Sequence, residues 1–533
     1  MSAPGRRAVV IGAGIAGLAT AALLAREGLA VTVLEARDET GGRAGSWQAD
    51  GFRFDTGPSW YLMPEVFEHF FRLMGTSADR ELDLIGLTPA YRVYREPASG
   101  GAAEAVDVLS GRDEATALFE RIEPGAGRRL DAYLDSARDA YDLAVSRLLY
   151  DSYETMRGLL DPRLIRRLPA LAPLLLRPLA RHIDRRFTDP ALRQILGFPA
   201  VFLGGSPDRV PSLYHLMSHL DLNQGVLYPQ GGFTTVIAAI ERLAVAAGVQ
   251  IETNAPAIRI LTQGGRVRGV RVADGREVPA DLVVSTADLH HTETVLLDEA
   301  ERTYPPRWWD RRTPSPGALL LMLGVRGELP QLAHHTLLFA ADWQANFDAI
   351  FGPEQRIPDP ASVYVCRPSA TDPSVAPPGD ENLFILVPVP ADPGLGRGGV
   401  DGAGDPVIEQ AADRVLAQLA TWCGIPDLAD RVVVRRTVAP ADFAADLHAW
   451  RGNSLGLAHT LPQSGPFRPR NASRTVQGLL YAGATTLPGI GLPMCLISAE
   501  LVIKRLRGDR TAGPLPEPSR ERDETPDNPR HQS

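Results

Sequence analysis

The chain has 533 residues, 44% of them hydrophobic, and 55 Lys+Arg against 64 Asp+Glu give a net charge of −9; this suits two or three globular domains and argues against nucleic acid as a partner. Lys504 is the only lysine, so there is no Gly-Lys-Ser/Thr phosphate loop and at most one candidate for Schiff-base chemistry. Cys366, Cys423 and Cys495 lie too far apart in sequence for a CxxC pair, a zinc spacing or a disulfide framework, which points to a reducing cytosol.

Residues 8–25 carry no charge and follow Arg6 and Arg7, a pattern that resembles a signal peptide or a membrane span. The glycines speak for something else. RAVVI (7–11) reads as a buried parallel strand, GAGIAG (12–17) as a phosphate-facing turn, and residues 15–26 as a helix. Gly12 permits the tight turn, Gly14 lets the backbone approach a pyrophosphate, and Gly17 lets the helix pack on the strand. The helix start, with Ile15 and Ala16, aims its unpaired N–H groups at the phosphates. A second strand, AVTVLE (30–35), ends in Glu35, placed to bind ribose hydroxyls ahead of Ala36 and Arg37. Strand, turn, helix, strand and acid occur in the order of a dinucleotide-binding unit. A further glycine pair, Gly41-Gly42, precedes Arg43; nicotinamide enzymes have no use for it, whereas a longer flavin dinucleotide does.

Further along, residues 76–225 read as mostly helical. Within them, 163–187 is basic and leucine-rich, with Arg163, Arg166, Arg167, Arg177, Arg181, Arg185 and Arg186 flanking an apolar centre. That composition suits a segment lying in a membrane interface, although Pro169, Pro173 and Pro178 are expected to break any long helix there. Residues 228–253 read as loop, helix and strand, and the following stretch alternates as strands with a hairpin turn at Asp274-Gly275. Residues 301–473 are mixed and proline-rich; LLYA (479–482) is a strand leading through Gly483 and a GIGLP loop into a last helix. Residues 508–533 are polar and expected to be disordered.

The histidines give little. His290-His291 and His334-His335 are adjacent pairs, whose side chains point apart in a strand, so neither is expected to chelate a metal. His215 and His219 stand at i and i+4 without an acid pattern, which favours packing. Cys495 falls inside the last helix and is expected to pack in the core.

GPSWYLMP (57–64), SLYHLM (212–217), GVLYPQGGF (225–233), VVSTADLHHTE (283–293), GNSLGLAHTLPQSGPFRPRN (452–471) and GATTLPGIGLPMCLISAE (483–500) together resemble bacterial-type phytoene desaturases, flavin-dependent carotenoid desaturases of the flavin amine oxidase superfamily. The resemblance extends over nearly the whole chain. One departure is Thr485-Thr486, where many relatives carry a Thr-His step.

The resemblance implies an α/β fold: a discontinuous Rossmann-like FAD-binding domain (1–75, 226–300 and 474–507) and a mixed α+β substrate domain (76–225 and 301–473) with a helical, membrane-facing part. It implies FAD as cofactor and no metal. It puts Gly42 and Arg43 along the phosphates, Gly57, Pro58 and Ser59 beside the flavin ring, and a backbone group at Ala257 or Ile258 against the adenine. Gly483, Ala484, Gly491, Leu492, Pro493 and Met494 then face the ribityl chain and ring. The substrate implied is a hydrophobic polyene, dehydrogenated stepwise from phytoene toward lycopene-type products, with peripheral contact at the inner face of the cell membrane. Alternatives are a carotenoid isomerase, a ketolase or a desaturase for another chain length. A flavin amine oxidase fits less well, because that branch keeps a lysine near the flavin and Lys504 is the only one here.

Overall fold

A computed structural model describes residues 5–98, 100–155 and 162–518. Two sheets organise it. The first is a five-stranded, all-parallel sheet in the order Leu479–Tyr481, Leu282–Ser285, Arg7–Ile11, Ala30–Leu34, Gln250–Glu252. Three distant stretches of chain therefore build one Rossmann-like sheet. Its central strands are buried on both faces, which is why they read as unbroken apolar runs. The helix Ile15–Arg26 packs between Phe233–Ala246 and Leu492–Arg507. Ten of its twelve residues are buried, so alanines and glycine let three helices close on one sheet face.

The second sheet has seven strands in the order Val432–Val438, Gly317–Val325, Glu381–Val389, Val363–Cys366, His335–Phe339, Tyr91–Arg95, Ala105–Val108. It is antiparallel except where Thr336–Phe339 runs parallel to Arg92–Arg95. Two of its strands come from the region expected to be mostly helical. YRVYR turns Tyr91 and Val93 into one hydrophobic core and Tyr94 into another, so alternate residues face opposite sides, the period of a strand. The hairpin expected at Asp274-Gly275 lies between the antiparallel strands Arg266–Val272 and Glu277–Pro279, with Gly275 at φ 90°.

The basic segment differs from expectation. One helix runs Pro162–Leu176 with Pro169 and Pro173 inside it. Two prolines four residues apart put both missing hydrogen bonds on one side of the helix, so the opposite side keeps its ladder. Pro178 does separate this helix from the next, Leu179–Asp184. The side chain of Arg163 lies outside the described residues.

The end of the chain differs too. Residues 508–518, expected to be disordered, pack back on the body. Leu515 is buried and its N–H donates to Glu500, while the Lys504 ammonium donates to the carbonyls of Thr511 and Gly513. The rest of the expected tail, 519–533, lies outside the described residues.

Between the sheets, Asp221 is buried beneath an aromatic cluster and accepts one hydrogen bond, from the Tyr91 hydroxyl at 3.2 Å. Its other carboxyl oxygen meets no partner. Burial pushes this carboxyl up to about 7 from an ordinary 3.8. The folded state thus holds a proton that the unfolded chain releases. The associated stability is complete below about pH 4 and is lost as pH rises through about 7, amounting to roughly 4 kcal/mol. Urea midpoints at about pH 5 and about pH 8 are expected to differ in the wild type, and this contribution is expected to vanish in Asp221→Asn.

Candidate active site

One cavity of about 890 Å³ runs from the C-terminal ends of the central parallel strands to the helix Pro162–Leu176. At its sheet end the wall is made by Gly12, Gly14, Ile15 and Ala16, with Glu35, Ala36 and Arg37 at the end of the neighbouring strand. Gly17 lies behind this wall. A Cβ there would stand 1.9 Å from the Gly12 carbonyl, so the close packing of helix on turn admits only glycine. Glu35 is buried, and its carboxylate accepts from the backbone N–H of Ala13 at 2.6 Å and of Arg37 at 3.0 Å. The acid therefore locks the two strand ends together as well as facing the cavity. No side chain caps the helix at Gly14, which leaves its first N–H groups to the cavity.

Gly42, Arg43, Gly57, Pro58 and Ser59 form the next part of the wall. Gly57 is required there, since a Cβ would stand 1.9 Å from the Arg43 carbonyl. The Arg43 side chain is half-buried; its Nε is closed to solvent and meets no partner, and desolvation lowers its pKa. A guanidinium so placed on a cavity wall calls for an anion, and a pyrophosphate supplies one. Ser59 Oγ lies 2.6 Å from the Tyr364 hydroxyl. Opposite stand Gly483, Ala484, Gly491, Leu492, Pro493 and Met494, with the uncapped start of the last helix at Gly491. Ala257 reaches the wall, whereas Ile258 does not; alternation along its strand turns Ile258 to solvent at 46% exposure. Of that pair, Ala257 alone faces the cavity.

The rest of the cavity is hydrophobic. Trp60, Leu171, Leu175, Val201, Leu320 and Phe347 are among its lining. The charged residues on the wall are Glu35, Arg37, Arg43, Asp288 and Asp446. Lys504 is remote from it, buried with its ammonium tied to the C-terminal segment. Cys495 is buried, as expected for a core residue, and its thiol, pushed up to about 12 by burial, also borders the cavity.

Several wall residues carried no usable signal in the sequence. His291 stacks on His448 with ring centroids 4.0 Å apart, and burial pulls it down to about 4. His459 is buried between the Tyr214 hydroxyl and the N–H of Ile490. Burial disfavours the charged form of both His291 and His459, and both ring nitrogens of His459 are already hydrogen-bonded. Arg468, also buried, donates to the carbonyls of Leu457, Gln463, Ala484 and Thr486. It stitches the 452–471 motif to the 483–500 motif, whose loop forms the cavity wall. His215 is packed as expected, bonded to the Ser212 carbonyl and the Ser136 hydroxyl, and His219 bonds to Asn223. His334 and His335 are the exception to the expectation that adjacent histidines point apart. The strand begins at His335, so His334 escapes the alternation and the two rings meet at 4.6 Å.

The chain matches the model of flavin containing amine oxidoreductases over residues 15–502. It belongs to that family. The glycine turn, Glu35 and the unpartnered Arg43 fit the FAD such an enzyme carries. The chain is 40% identical to a carotenoid 3,4-desaturase of Haloarcula japonica, with 95% of this chain and 99% of that protein covered. It is 39% identical to a zeta-carotene-forming phytoene desaturase of Myxococcus xanthus, covering 95% and 94%. A lycopene-forming phytoene desaturase of a Paracoccus species is 32% identical, covering 95% and 98%. Among solved structures, a redesigned putrescine oxidase superposes with a TM-score of 0.60 at 14% identity, covering 94% and 99%. A fatty acid isomerase of P. acnes superposes at 0.55 and 18% identity, covering 95% and 99%. These two structures show the shared fold alone.

Proposed function

We propose that this protein is an FAD-dependent carotenoid desaturase that removes hydrogen from adjacent carbons of phytoene-type polyenes, stepwise toward lycopene-type products. The observation that carries this reading is the cavity itself: a dinucleotide cradle that continues into an apolar channel with no lysine on its wall. A hydrocarbon offers no polar handle, so such a channel must hold it by shape and burial. Its relatives, named for carotenoid and phytoene desaturation, agree.

FAD, when bound, supplies the hydride acceptor. The chain's own residues do the rest. The glycine turn, Glu35 and Arg43 hold the dinucleotide, and Ser59 and the loop 483–491 border the place of its ring. The leucine and aromatic walls exclude water and fix which pair of carbons lies at the reacting end.

Anaerobic addition of phytoene should bleach the visible flavin absorbance, and pigment chromatography of phytoene-accumulating cells should show desaturated products. Unbleached flavin with every polyene offered, and colourless cells, would reject the reading. A second reading, desaturation of an already conjugated carotenoid, is favoured by the 40% identity to the 3,4-desaturase. Conversion of lycopene but not phytoene would select it.

Membrane docking is part of the proposal. Among the described residues no helix is long and apolar enough to cross a membrane. The helix Pro162–Leu176 gives Leu171 and Leu175 to the cavity wall and leaves Leu176 at 74% exposure, with Arg166, Arg167, Arg177, Arg181 and Arg185 exposed along the segment. A substrate dissolved in the bilayer could then enter beside this helix. Vesicles containing anionic lipid are expected to sediment the wild type, with about tenfold weaker binding for Leu176→Glu. Equal sedimentation of the two would remove Leu176 from the docking face.

A further inference from the structure

Behind the cavity wall lies a polar cluster that the desaturase reading does not use. His334, His335 and Cys366 are buried, at 5%, 0% and 1% exposure. One ligand atom of each lies within 4.8 Å of the other two. The Nδ1 atoms have partners: His334 bonds to the Thr371 hydroxyl at 2.8 Å, and His335 to the Tyr364 hydroxyl at 2.8 Å. The Nε2 atoms of both have none. Two imidazole nitrogens deprived of water and of any hydrogen bond carry a desolvation cost that a stable core does not retain without a compensating ligand.

We propose that His334, His335 and Cys366 form a buried zinc(II) site. The donor set is two imidazole nitrogens and one sulfur, which suits a borderline-soft dication without redox chemistry of its own. Tetrahedral zinc, with bonds of about 2.0–2.3 Å, holds its ligand atoms roughly 3.5 Å apart, so the cluster closes by about an ångström on binding. A fourth position is left for water. Binding breaks the Cys366 S–H bond and forms a sulfur–zinc bond, the proton passing to solvent; nothing is oxidised or reduced. The buried Asp372 and the nearby Arg367 both act electrostatically on His334, the carboxylate favouring and the guanidinium opposing the net positive charge left at the site.

The site has a consequence for the cavity. With the metal on Nε2, His335 carries its proton on Nδ1 and must donate it to the Tyr364 hydroxyl. Tyr364 then donates to Ser59 Oγ, 2.6 Å away on the cavity wall. The metal thereby fixes the direction of a hydrogen-bond chain ending beside the place of the flavin ring. This last step rests on the flavin reading of the cavity; the metal site does not.

The test uses the full-length flavoprotein, purified without chelators, incubated with zinc(II) and desalted. Mass spectrometry of metals is expected to find about one zinc per chain, falling below about one tenth in Cys366→Ser and in the double variant His334→Gln/His335→Gln. Cobalt(II) in its place should give a thiolate-to-cobalt charge-transfer band that Cys366→Ser lacks. Retained flavin absorbance in the variants shows that the fold survives. If the variants do not fold, the cobalt band of the wild type decides. A wild type that takes up no metal and shows no such band, or zinc content unchanged in the variants, overturns the site. None of these readouts depends on turnover, so failure here leaves the desaturase reading standing.

Discussion

Gly14→Val is expected to give a folded protein that purifies without flavin. Gly14 has φ −70° and ψ 175°, a conformation open to any L residue. A Cβ at this position meets nothing nearer than the Gly41 carbonyl at 3.8 Å, and the residue lines the cavity. The valine methyls would therefore occupy space that belongs to the dinucleotide and displace almost no protein. FAD affinity is expected to fall at least ~100-fold, or about 2.7 kcal/mol, while the circular dichroism spectrum and the urea midpoint of the flavin-free protein stay where they were. Gly17→Ala makes the contrasting case. Its Cβ would stand 1.9 Å from the Gly12 carbonyl and 2.8 Å from the Thr286 hydroxyl, so the turn itself must move and stability falls along with flavin content. If Gly14→Val kept a full complement of flavin, the pyrophosphate would have to lie elsewhere on the wall.

That contrast shows which features were legible in the sequence. The cradle was, because its constraints are local: the turn, the helix start and the terminal acid lie within one short stretch and act on one another directly. The distant parts were not. The strand Tyr91–Arg95 sits in a region dominated by helical spacing, and its partner strand begins at His335, far along the chain. The helix Pro162–Leu176 keeps two prolines inside it, and Leu171 between them packs against Leu143, a contact that spacing in the chain does not disclose. His334 and His335 were read as a strand pair pointing apart, which fails because the strand starts one residue later than that reading needs. Cys366 reaches them only through the antiparallel pairing of His335 with Cys366, which spacing in the chain does not disclose. The isolated arginines gave no sign that the Nε of Arg43 would be closed to solvent without a partner. The resemblance marked the 452–471 and 483–500 motifs as specific, but the physical reason for their coexistence appears only when Arg468 is seen between them.

Arg468→Leu is accordingly expected to be the most destabilising single change behind the cavity wall. The guanidinium is 2% exposed and spends its donors on four carbonyls: Thr486 at 3.1 Å, Gln463 at 3.1 Å, Leu457 at 3.0 Å and Ala484 at 2.6 Å. No carboxylate neutralises it; burial instead lowers its pKa to about 10, which still leaves it charged at neutral pH. Leucine would fill part of the volume and leave these backbone oxygens without that donor in a site closed to water. The expected loss is roughly 3–5 kcal/mol in urea unfolding. Arg468→Lys tests the geometry separately. An ammonium keeps the charge but cannot reach four carbonyls spread over a planar fork, so it is expected to recover less than half of the loss. Flavin content should follow stability in both variants, because Ala484 and the loop through Gly491 border the cavity from the same stretch that Arg468 anchors. A leucine variant as stable as the wild type would mean that the carbonyls find other donors and that the two motifs hold together through His459, whose ring accepts from the N–H of Ile490 at 3.1 Å, and through Asn471, whose amide donates to the Leu487 carbonyl and the Ser498 hydroxyl.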